Sequence, residues 1–354
     1  MNRVDKLLIY IKENQIDGFF INSYENRRYF SSFTGSNGYL IITENEKILI
    51  TDQRYTEQAE NQAKDFKIIT HGIDQFNTLE KELSKFKKIK FAYESKKIND
   101  FLIRNIKKLE NTIEWVPTDD VLEKMRAVKS NEEIQNIEKA VEIADESLKE
   151  LIKLIKPKMT EKEVMAELEY LMRKKGSESP AFNTIVASGK RSSLPHGFPT
   201  DKKIEYGDVV VIDFGASYNG YMSDITRTLW IGEPNKDIQK IYDVVFEAQT
   251  ETIKQIKKNQ TCHEVDKISR DIFKNNKIER YSLRGLGHGV GLEIHEYPRV
   301  VLDNEEIIKE NMVFTVEPGI YIPELGGVRI EDVVHVTNEG CRVLTKSPKK
   351  IIID

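Results

Sequence analysis

The chain of 354 residues is 39% hydrophobic and 32% charged, with a formal net charge of −4, which predicts a soluble protein of two domains. Because phosphate binding needs a basic surface, the slight acidity argues against a nucleic-acid partner. No apolar run approaches the length of a membrane span, and Cys262 and Cys341 are too few for a disulfide framework, so we expect a reduced, cytoplasmic protein without membrane contact.

Residues 1–124 are predicted to form a small α/β domain. Val4, Leu7, Leu8 and Ile11 have the spacing of an amphipathic helix. The segments GFFIN, GYLIIT and KILIT are typical of short buried strands, and a further strand pattern, IKFAYE, precedes the helix-like FLIRNIKKLE. Alternating helices and strands of this kind indicate an α/β arrangement.

The second domain, residues 125–354, is predicted to combine long helices with a mostly antiparallel sheet, an α+β fold. Three helix starts show the capping-box pattern, in which Ser or Thr is followed three residues later by Glu. These pairs are Ser130 with Glu133, Thr160 with Glu163, and Thr261 with Glu264. Apolar residues between positions 134 and 155 step by three or four, as in a helical face that packs on a core.

Two aspartates flank a predicted hairpin in this second domain. Asp213 follows four apolar β-branched residues, and Asp224 comes eleven residues later, after the turn-like YNGY. A hairpin would place the two carboxylates side by side on adjacent strands. Taken alone, an aspartate at the end of a strand, such as Asp213, is more often a turn residue or a helix cap than a metal ligand. Two like charges in a buried sheet would repel, and a cation between them resolves that repulsion.

Three further side chains complete a candidate set of metal ligands. His288 lies among four alternating glycines, and Glu317 and Glu331 each follow a strand-like segment. A flexible turn would also explain His288, and structural ion pairs would explain the two glutamates. Taken with Asp213 and Asp224, however, four carboxylates and one imidazole suit two divalent cations that share a site. Two such ions polarise a carbonyl and lower the pKa of a shared water.

Five motifs give these residues a family resemblance: VIDFG, SDITRT, GHGVGLEIHE, TVEPGIY and GVRIEDVV. The chain resembles the proline-specific metallopeptidases of the pita-bread fold, which comprise Xaa-Pro dipeptidase (prolidase) and aminopeptidase P in peptidase family M24. The resemblance covers essentially the whole chain, with ENRRYFSSFTGSNG and TDQRYTEQA matching in the N-terminal domain. It implies a creatinase-like N-terminal domain, a catalytic pita-bread domain, and hydrolysis of the bond before proline in small peptides.

The resemblance also implies how the ligands are shared between two metal ions. Asp213 and Asp224 would chelate one ion, while His288 and Glu317 would complete the two ligand sets. Glu331 and Asp224 would bridge the pair. Manganese is expected from the family and from the oxygen-rich ligand set, with cobalt, zinc and iron as alternatives.

Residues outside the ligand set are assigned by the same resemblance. His196 in SSLPHG and His295 in EIHE would lie beside the metals without ligating them, although a lone histidine is more often a surface residue. They would bond to the scissile carbonyl and the tetrahedral intermediate, and would protonate the leaving proline nitrogen. Glu317 would shuttle a proton. Arg329 would orient ligand carboxylates or contact the substrate.

The choice of substrate depends on what binds its far end. A dipeptide carries a carboxylate directly on the proline, and an arginine suits that group. Arg299 in HEYPR lies where similar prolidases have a carboxylate-binding arginine, so we expect Xaa-Pro dipeptidase activity, with aminopeptidase P activity on longer peptides as the alternative. Arg284 departs from the family, since many relatives carry a histidine there, and its role is open.

Three relatives with other activities fit the sequence less well. Methionine aminopeptidases share the five ligands but usually lack a large N-terminal domain, and creatinase has the fold without the metal set. Non-catalytic binding proteins on this fold typically lose ligands that the present chain keeps. In similar enzymes the N-terminal domain helps to form a dimer, so a homodimer is expected.

Overall fold

The computed structural model describes residues 2–353. The chain divides into two compact units, the first ending at Arg126 and the second beginning at Ala127, whereas the sequence predicts a boundary between residues 124 and 125. Within residues 2–353 no helix combines the length and the apolar character needed to cross a membrane.

The first unit is a six-stranded mixed sheet with helices, in the strand order β4-β3-β2-β1-β5-β6. Its strands are β1 (Gly18–Ile21), β2 (Tyr39–Thr43), β3 (Lys47–Asp52), β4 (Lys67–His71), β5 (Lys90–Glu94) and β6 (Glu114–Thr118). Its helices are α1 (Arg3–Glu13), α2 (Tyr24–Ser31), α3 (Thr56–Gln62), α4 (Gln75–Leu83), α5 (Asp100–Leu109) and α6 (Val121–Ala127), which runs one residue into the second unit. The predicted amphipathic first helix is confirmed, because α1 buries Val4, Leu7 and Ile11.

Long helices and two larger sheets make up the second unit. The helices are α7 (Asn131–Leu151), α8 (Glu161–Lys174), α9 (Lys236–Gln255) and α10 (Cys262–Asn275). The strands are β7 (Ile185–Ser188), β8 (Val209–Phe214), β9 (Ser217–Tyr218), β10 (Tyr221–Met222), β11 (Ile225–Ile231), β12 (Gly287–Gly289), β13 (Glu296–Val300), β14 (Val313–Val316), β15 (Gly319–Ile322), β16 (Gly326–Arg329), β17 (Asp332–Val336), β18 (Cys341–Val343) and β19 (Ile351–Ile353).

The predicted helix starts are confirmed, since α7, α8 and α10 each begin with a capping box in which both reciprocal hydrogen bonds form. Such caps satisfy backbone N–H groups that have no partner within the helix. Helix α7 buries the predicted stripe from Ile134 to Leu151. The sequence predicts a stripe that continues to position 155, but the helix ends at Leu151. Ile155 is buried, although it lies after the end of the helix.

The two larger sheets of the second unit are mainly antiparallel, as predicted. One has the order β19-β11-β8-β7, in which only β11 and β19 run parallel, and the other has the order β13-β12-β14-β17-β18. Helix α9 covers a core around Trp230, Val245 and Val328. Helix α10 contributes Val265 to a second core that contains Phe314. The fold therefore fixes the strand ends that carry the candidate ligands.

Candidate metal centre

Strands β8 and β11 bring Asp213 and Asp224 to one place. The strands are antiparallel neighbours, and the turn between them includes Asn219 and Gly220, both with positive φ. The structure differs from the predicted arrangement in one detail. The residue directly opposite Asp213 is Thr226 and not Asp224. Asp224 lies two residues earlier, just before β11 begins. Alternate residues share a face of a strand, so Asp224 and Thr226 project to the same side.

A cluster of three carboxylates forms where β8, β11 and β17 meet. Asp213, Asp224 and Glu331 each place a carboxylate oxygen within 4.8 Å of the others, and their exposed fractions are only 8%, 5% and 1%. Burial raises the pKa of Asp224 well above its ordinary value, and the charges of Glu331 and Asp213 raise it further. Burial and the charges of Glu317 and Asp213 raise the pKa of Glu331 in the same direction.

Arg329 is the cation that faces this cluster. Its guanidinium pairs with Asp213 and donates to the hydroxyl oxygens of Thr226, at 2.9 Å, and Tyr321, at 2.5 Å. Burial alone would lower the pKa of Arg329, but Tyr321 and the surrounding carboxylates raise it well above its ordinary value. One arginine cannot balance the carboxylates around it, so the cluster keeps an excess of negative charge.

Two oxygens of the cluster have no donor. Asp213 Oδ1 and Glu331 Oε1 are buried and accept no hydrogen bond from any residue within 2–353, although Thr226 donates to Glu331 Oε2 at 2.6 Å. Buried carboxylate oxygens without a partner are rare in folded proteins. Hard divalent cations bind oxygens of this kind. The residues present therefore fit the divalent ions that a metallopeptidase needs.

His288 and Glu317 extend the cluster toward solvent. His288 Nε2 lies 3.5 Å from Asp224 Oδ2 and 3.2 Å from Glu317 Oε1, and Thr315 donates to Glu317 Oε1 at 2.9 Å. Burial disfavours both charged forms. Their mutual hydrogen bond nevertheless raises the pKa of His288 and lowers that of Glu317. The structure thus brings together all five predicted ligands.

The glycines around His288 are required by close contacts between strands. A Cβ on Gly287 would lie 2.0 Å from the carbonyl oxygen of Thr315, and one on Gly289 would lie 2.1 Å from that of Tyr297. Neither backbone atom can move aside, since both belong to the neighbouring strands β14 and β13. The prediction that these glycines allow a close approach of the backbone is confirmed. The close packing of β12 against β13 and β14 fixes the position of His288 between them.

A cavity of about 230 Å³ opens over His288 and Glu317, and its walls also include His295, Arg299 and Arg329. The His288 and His295 rings pack at 4.3 Å between centroids. Burial, followed by the charge of His288, lowers the pKa of His295. Arg284 lines the same cavity.

His196 lies apart from the other predicted residues. It is exposed, on the loop after β7, and it is not among the residues that line this cavity within the described part of the chain. The loop is nevertheless linked to the centre, because Arg329 donates to the carbonyl of Pro195 at 3.2 Å. The charge of His196 also contributes to the lowered pKa of His295.

Sequence reasoning missed three residues that support the centre: Thr226, Thr315 and Tyr321. Thr226 is two residues after Asp224, Thr315 is two before Glu317, and Tyr321 is four after it. Strand alternation places residues at even spacing on one face. The spacing is therefore visible in the sequence, but it does not show that Thr226 and Thr315 donate to candidate ligands or that Tyr321 accepts from Arg329.

Comparison with known proteins gives a consistent result over both units. Metallopeptidase family M24 matches residues 135–338, and the creatinase/prolidase N-terminal domain matches residues 3–128. An Xaa-Pro dipeptidase of Pyrococcus furiosus is 43% identical over 99% of both chains. A solved Xaa-Pro dipeptidase from Bacillus anthracis superposes with a TM-score of 0.95 at 40% identity, covering 99% of this chain and 98% of the other. An X-Pro aminopeptidase structure from Thermotoga maritima gives 0.92 at 40%, covering 100% of each.

The charge imbalance predicts an unusual effect of Asp224→Asn on the metal-free chain. A carboxyl whose pKa is raised by folding lowers stability as pH rises above its ordinary pKa, and a neutral amide removes that effect. We expect the variant to melt about 2–4 °C higher than the wild type near pH 7, roughly 1 kcal/mol for a domain of this size. The difference should shrink as the pH falls toward about 5.

Thermal melts of both proteins with and without Mn²⁺ provide the measurement. Added Mn²⁺ should stabilise the wild type more than the variant, which reverses the order of the two melting temperatures. The exposed Asp303→Asn serves as the control and should change neither value. A metal-free Asp224→Asn chain that melts below the wild type at neutral pH would contradict the charge argument.

Proposed function

The chain belongs to metallopeptidase family M24, and we propose that it is an Xaa-Pro dipeptidase that hydrolyses the bond between a residue and a C-terminal proline. The five predicted ligands Asp213, Asp224, His288, Glu317 and Glu331 hold two divalent ions in this proposal. The orphaned oxygens of Asp213 and Glu331 support it, as does the name of the Pyrococcus furiosus relative.

The preference for a dipeptide rests on the hairpin formed by β12 and β13. His288 and Arg299 are directly opposite each other in its register, and both line the cavity. Directly opposed residues project to the same face, with Cβ atoms about 4.5–5.5 Å apart. In an Xaa-Pro dipeptide only three bonds separate the scissile carbonyl carbon from the terminal carboxylate carbon. This spacing supports a short substrate that lies between the proposed ligand His288 at one end and the guanidinium of Arg299 at the other.

The size and lining of the cavity favour the same substrate. Its volume of about 230 Å³ is below the range of most ligand pockets, about 300–1,000 Å³, so a small ligand fits best. Leu283, Val301 and Tyr321 give its wall an apolar part. Proline offers a ring and no N–H. An apolar wall that contacts the ring binds proline without needing that missing donor.

The chemistry divides between the ions and the side chains. When bound, two divalent ions polarise the scissile carbonyl and lower the pKa of a water. Glu317, which lines the cavity, accepts a proton and returns it. His295 and His196 donate hydrogen bonds to the scissile carbonyl and the developing oxyanion, and they deliver a proton to the leaving proline nitrogen. Arg329 orients Asp213, with which it pairs, and it also lines the cavity, where it can contact the substrate.

Arg299→Ala should distinguish a dipeptidase from an aminopeptidase. Loss of a charge-assisted hydrogen bond worth about 1.5–3 kcal/mol should lower kcat/KM for an Xaa-Pro dipeptide by about 10–150-fold. The corresponding dipeptide amide, which lacks the carboxylate, should be a poor substrate for both proteins and should lose little further. Steady-state kinetics with the dipeptide, its amide and an Xaa-Pro-tripeptide measure the effect.

The exposed Arg280→Ala is the control, because Arg280 is not among the residues that line the cavity in the described chain. It should leave all three substrates unchanged. A wild type that turns over the tripeptide faster than the dipeptide has the activity of an aminopeptidase P. An Arg299→Ala variant that keeps its dipeptide turnover contradicts the role of Arg299 on which the dipeptidase assignment rests.

His295→Ala and His196→Ala should lower kcat by about 10²–10⁴-fold, the usual contribution of a positioned proton donor or hydrogen-bond donor. The affinity for Mn²⁺ should stay within about twofold of the wild type, because neither side chain is a ligand in the proposal. Kinetics and metal titration of the same preparations test this. A variant that loses Mn²⁺ together with activity would make that histidine part of the metal site.

The number of ions and the subunit arrangement follow from the resemblance to the family. We expect two Mn²⁺ per chain after reconstitution and a homodimer at micromolar concentration. Elemental analysis and light scattering measure the two quantities. Less than about one ion per chain would contradict the catalytic proposal, whereas a monomer mass would contradict only the dimer.

A further inference from the structure

Behind the metal centre lies a second, fully buried pair of opposite charges. Arg227 and Asp332 are both 0% exposed, and Arg227 Nη2 donates to Asp332 Oδ1 at 2.7 Å. Each follows a residue of the centre in sequence, since Arg227 follows Thr226 and Asp332 follows Glu331. Arg227 Nη1 also donates to the main-chain carbonyls of Thr226, at 3.0 Å, and of Glu331. The pair therefore fixes the position of the backbone at Glu331.

The opposite side of this pair is made by residues near the C-terminus. Arg227 donates to the carbonyl oxygens of Ser347, at 2.9 Å, and Pro348, at 3.2 Å. Asp332 accepts from Thr345 Oγ1 at 2.6 Å, and its other oxygen lies 2.9 Å from Lys349 Nζ. Four residues of the segment 345–349 thus bond to the pair.

The segment is itself fixed to the helices. Asp145 on α7 accepts from the backbone N–H of Lys346, at 2.7 Å, and of Ser347, at 2.9 Å. Gln249 on α9 donates to Asp332 Oδ2 at 2.7 Å and accepts from Lys349 Nζ at 2.6 Å. These hydrogen bonds to α7 and α9 fix the position of residues 345–349 relative to the pair of Arg227 and Asp332.

We infer that residues 345–349 are a positioning element of the metal centre, which acts through Arg227 and Asp332 on the backbone of Glu331. This inference rests on the metal-ligand role proposed for Glu331. One oxygen of that side chain accepts from Thr226, and the other accepts from no residue in the described range 2–353, so the direction of the carboxylate depends on the position of its backbone. Partners behind a ligand typically set metal affinity by about 10–100-fold.

Metal titration tests the inference without relying on peptide turnover. The metal-free wild type and variants are titrated with Mn²⁺, and Kd is measured by calorimetry. Lys349→Met keeps the aliphatic stem but removes the charge, and Thr345→Val keeps the shape but removes the donor. Each should weaken Mn²⁺ binding by about three- to tenfold, a smaller effect than that expected for Asp332→Asn, about 10–100-fold. The exposed neighbour Lys350→Met is the matched control and should bind as the wild type does.

A double variant separates positioning from simple stabilisation. Replacing a buried ion pair by apolar residues of similar size often leaves a protein as stable as before. Arg227→Met combined with Asp332→Leu should therefore fold, with a metal-free melting temperature close to that of the wild type, yet bind Mn²⁺ about 10–100-fold more weakly. If this double variant does not fold, Thr345→Val and Lys349→Met still test the positioning role. Both substitutions lie at the edge of the hydrogen-bond network around Arg227 and Asp332.

The outcomes distinguish this inference from the proposed function. Wild type that binds Mn²⁺ while Lys349→Met, Thr345→Val and the folded double variant bind it equally well overturns the positioning role and leaves the dipeptidase proposal intact. Wild type that fails to bind Mn²⁺ overturns the metal role of Glu331 itself. Weaker binding in folded variants, with Lys350→Met unchanged, supports the inference.

Discussion

The function proposed for the second unit depends on an excess of negative charge in a buried place. Asp213, Asp224 and Glu331 converge within 4.8 Å, and the buried guanidinium of Arg329 faces them. Coulomb energies between such groups grow as the dielectric falls. Either protonation of a carboxylate or a bound cation relieves the repulsion. The raised pKa values of Asp224 and Glu331 favour protonation when no cation is bound.

Such a cluster can form only on a rigid support, and the antiparallel sheets provide it. The ligands come from strands or strand ends that pair with one another, as β8 does with β11 and β14 with β17. Glycines remove the side chains that would keep these strands apart, most clearly at Gly287 against Thr315. Hydrogen bonds from Arg329, Thr226 and Thr315 then limit how far the carboxylates of Asp213, Glu331 and Glu317 can turn, although the charges repel.

Much of this could be predicted from the sequence, because the informative signals are local. Capping boxes, apolar stripes and alternating strands have short periods, and they located the helices α7, α8 and α10 correctly. The register of β8 and β11 was less accessible, since the turn between them contains a small extra hairpin that sets Asp213 opposite Thr226. Contacts such as that between Arg227 and Ser347, 120 residues apart, leave no periodic trace in a single sequence.

The roles proposed for His288 and Arg299 put metal binding and substrate choice on one hairpin. His288 and Arg299 face each other across β12 and β13, and the register shifts immediately after His288. Any change that moved this bulge would displace both the imidazole of His288 and the guanidinium of Arg299. A longer peptide would have to leave the cavity past Arg299, with no terminal carboxylate at that position to satisfy the guanidinium. The distance between two opposed residues thus favours a substrate that ends at proline.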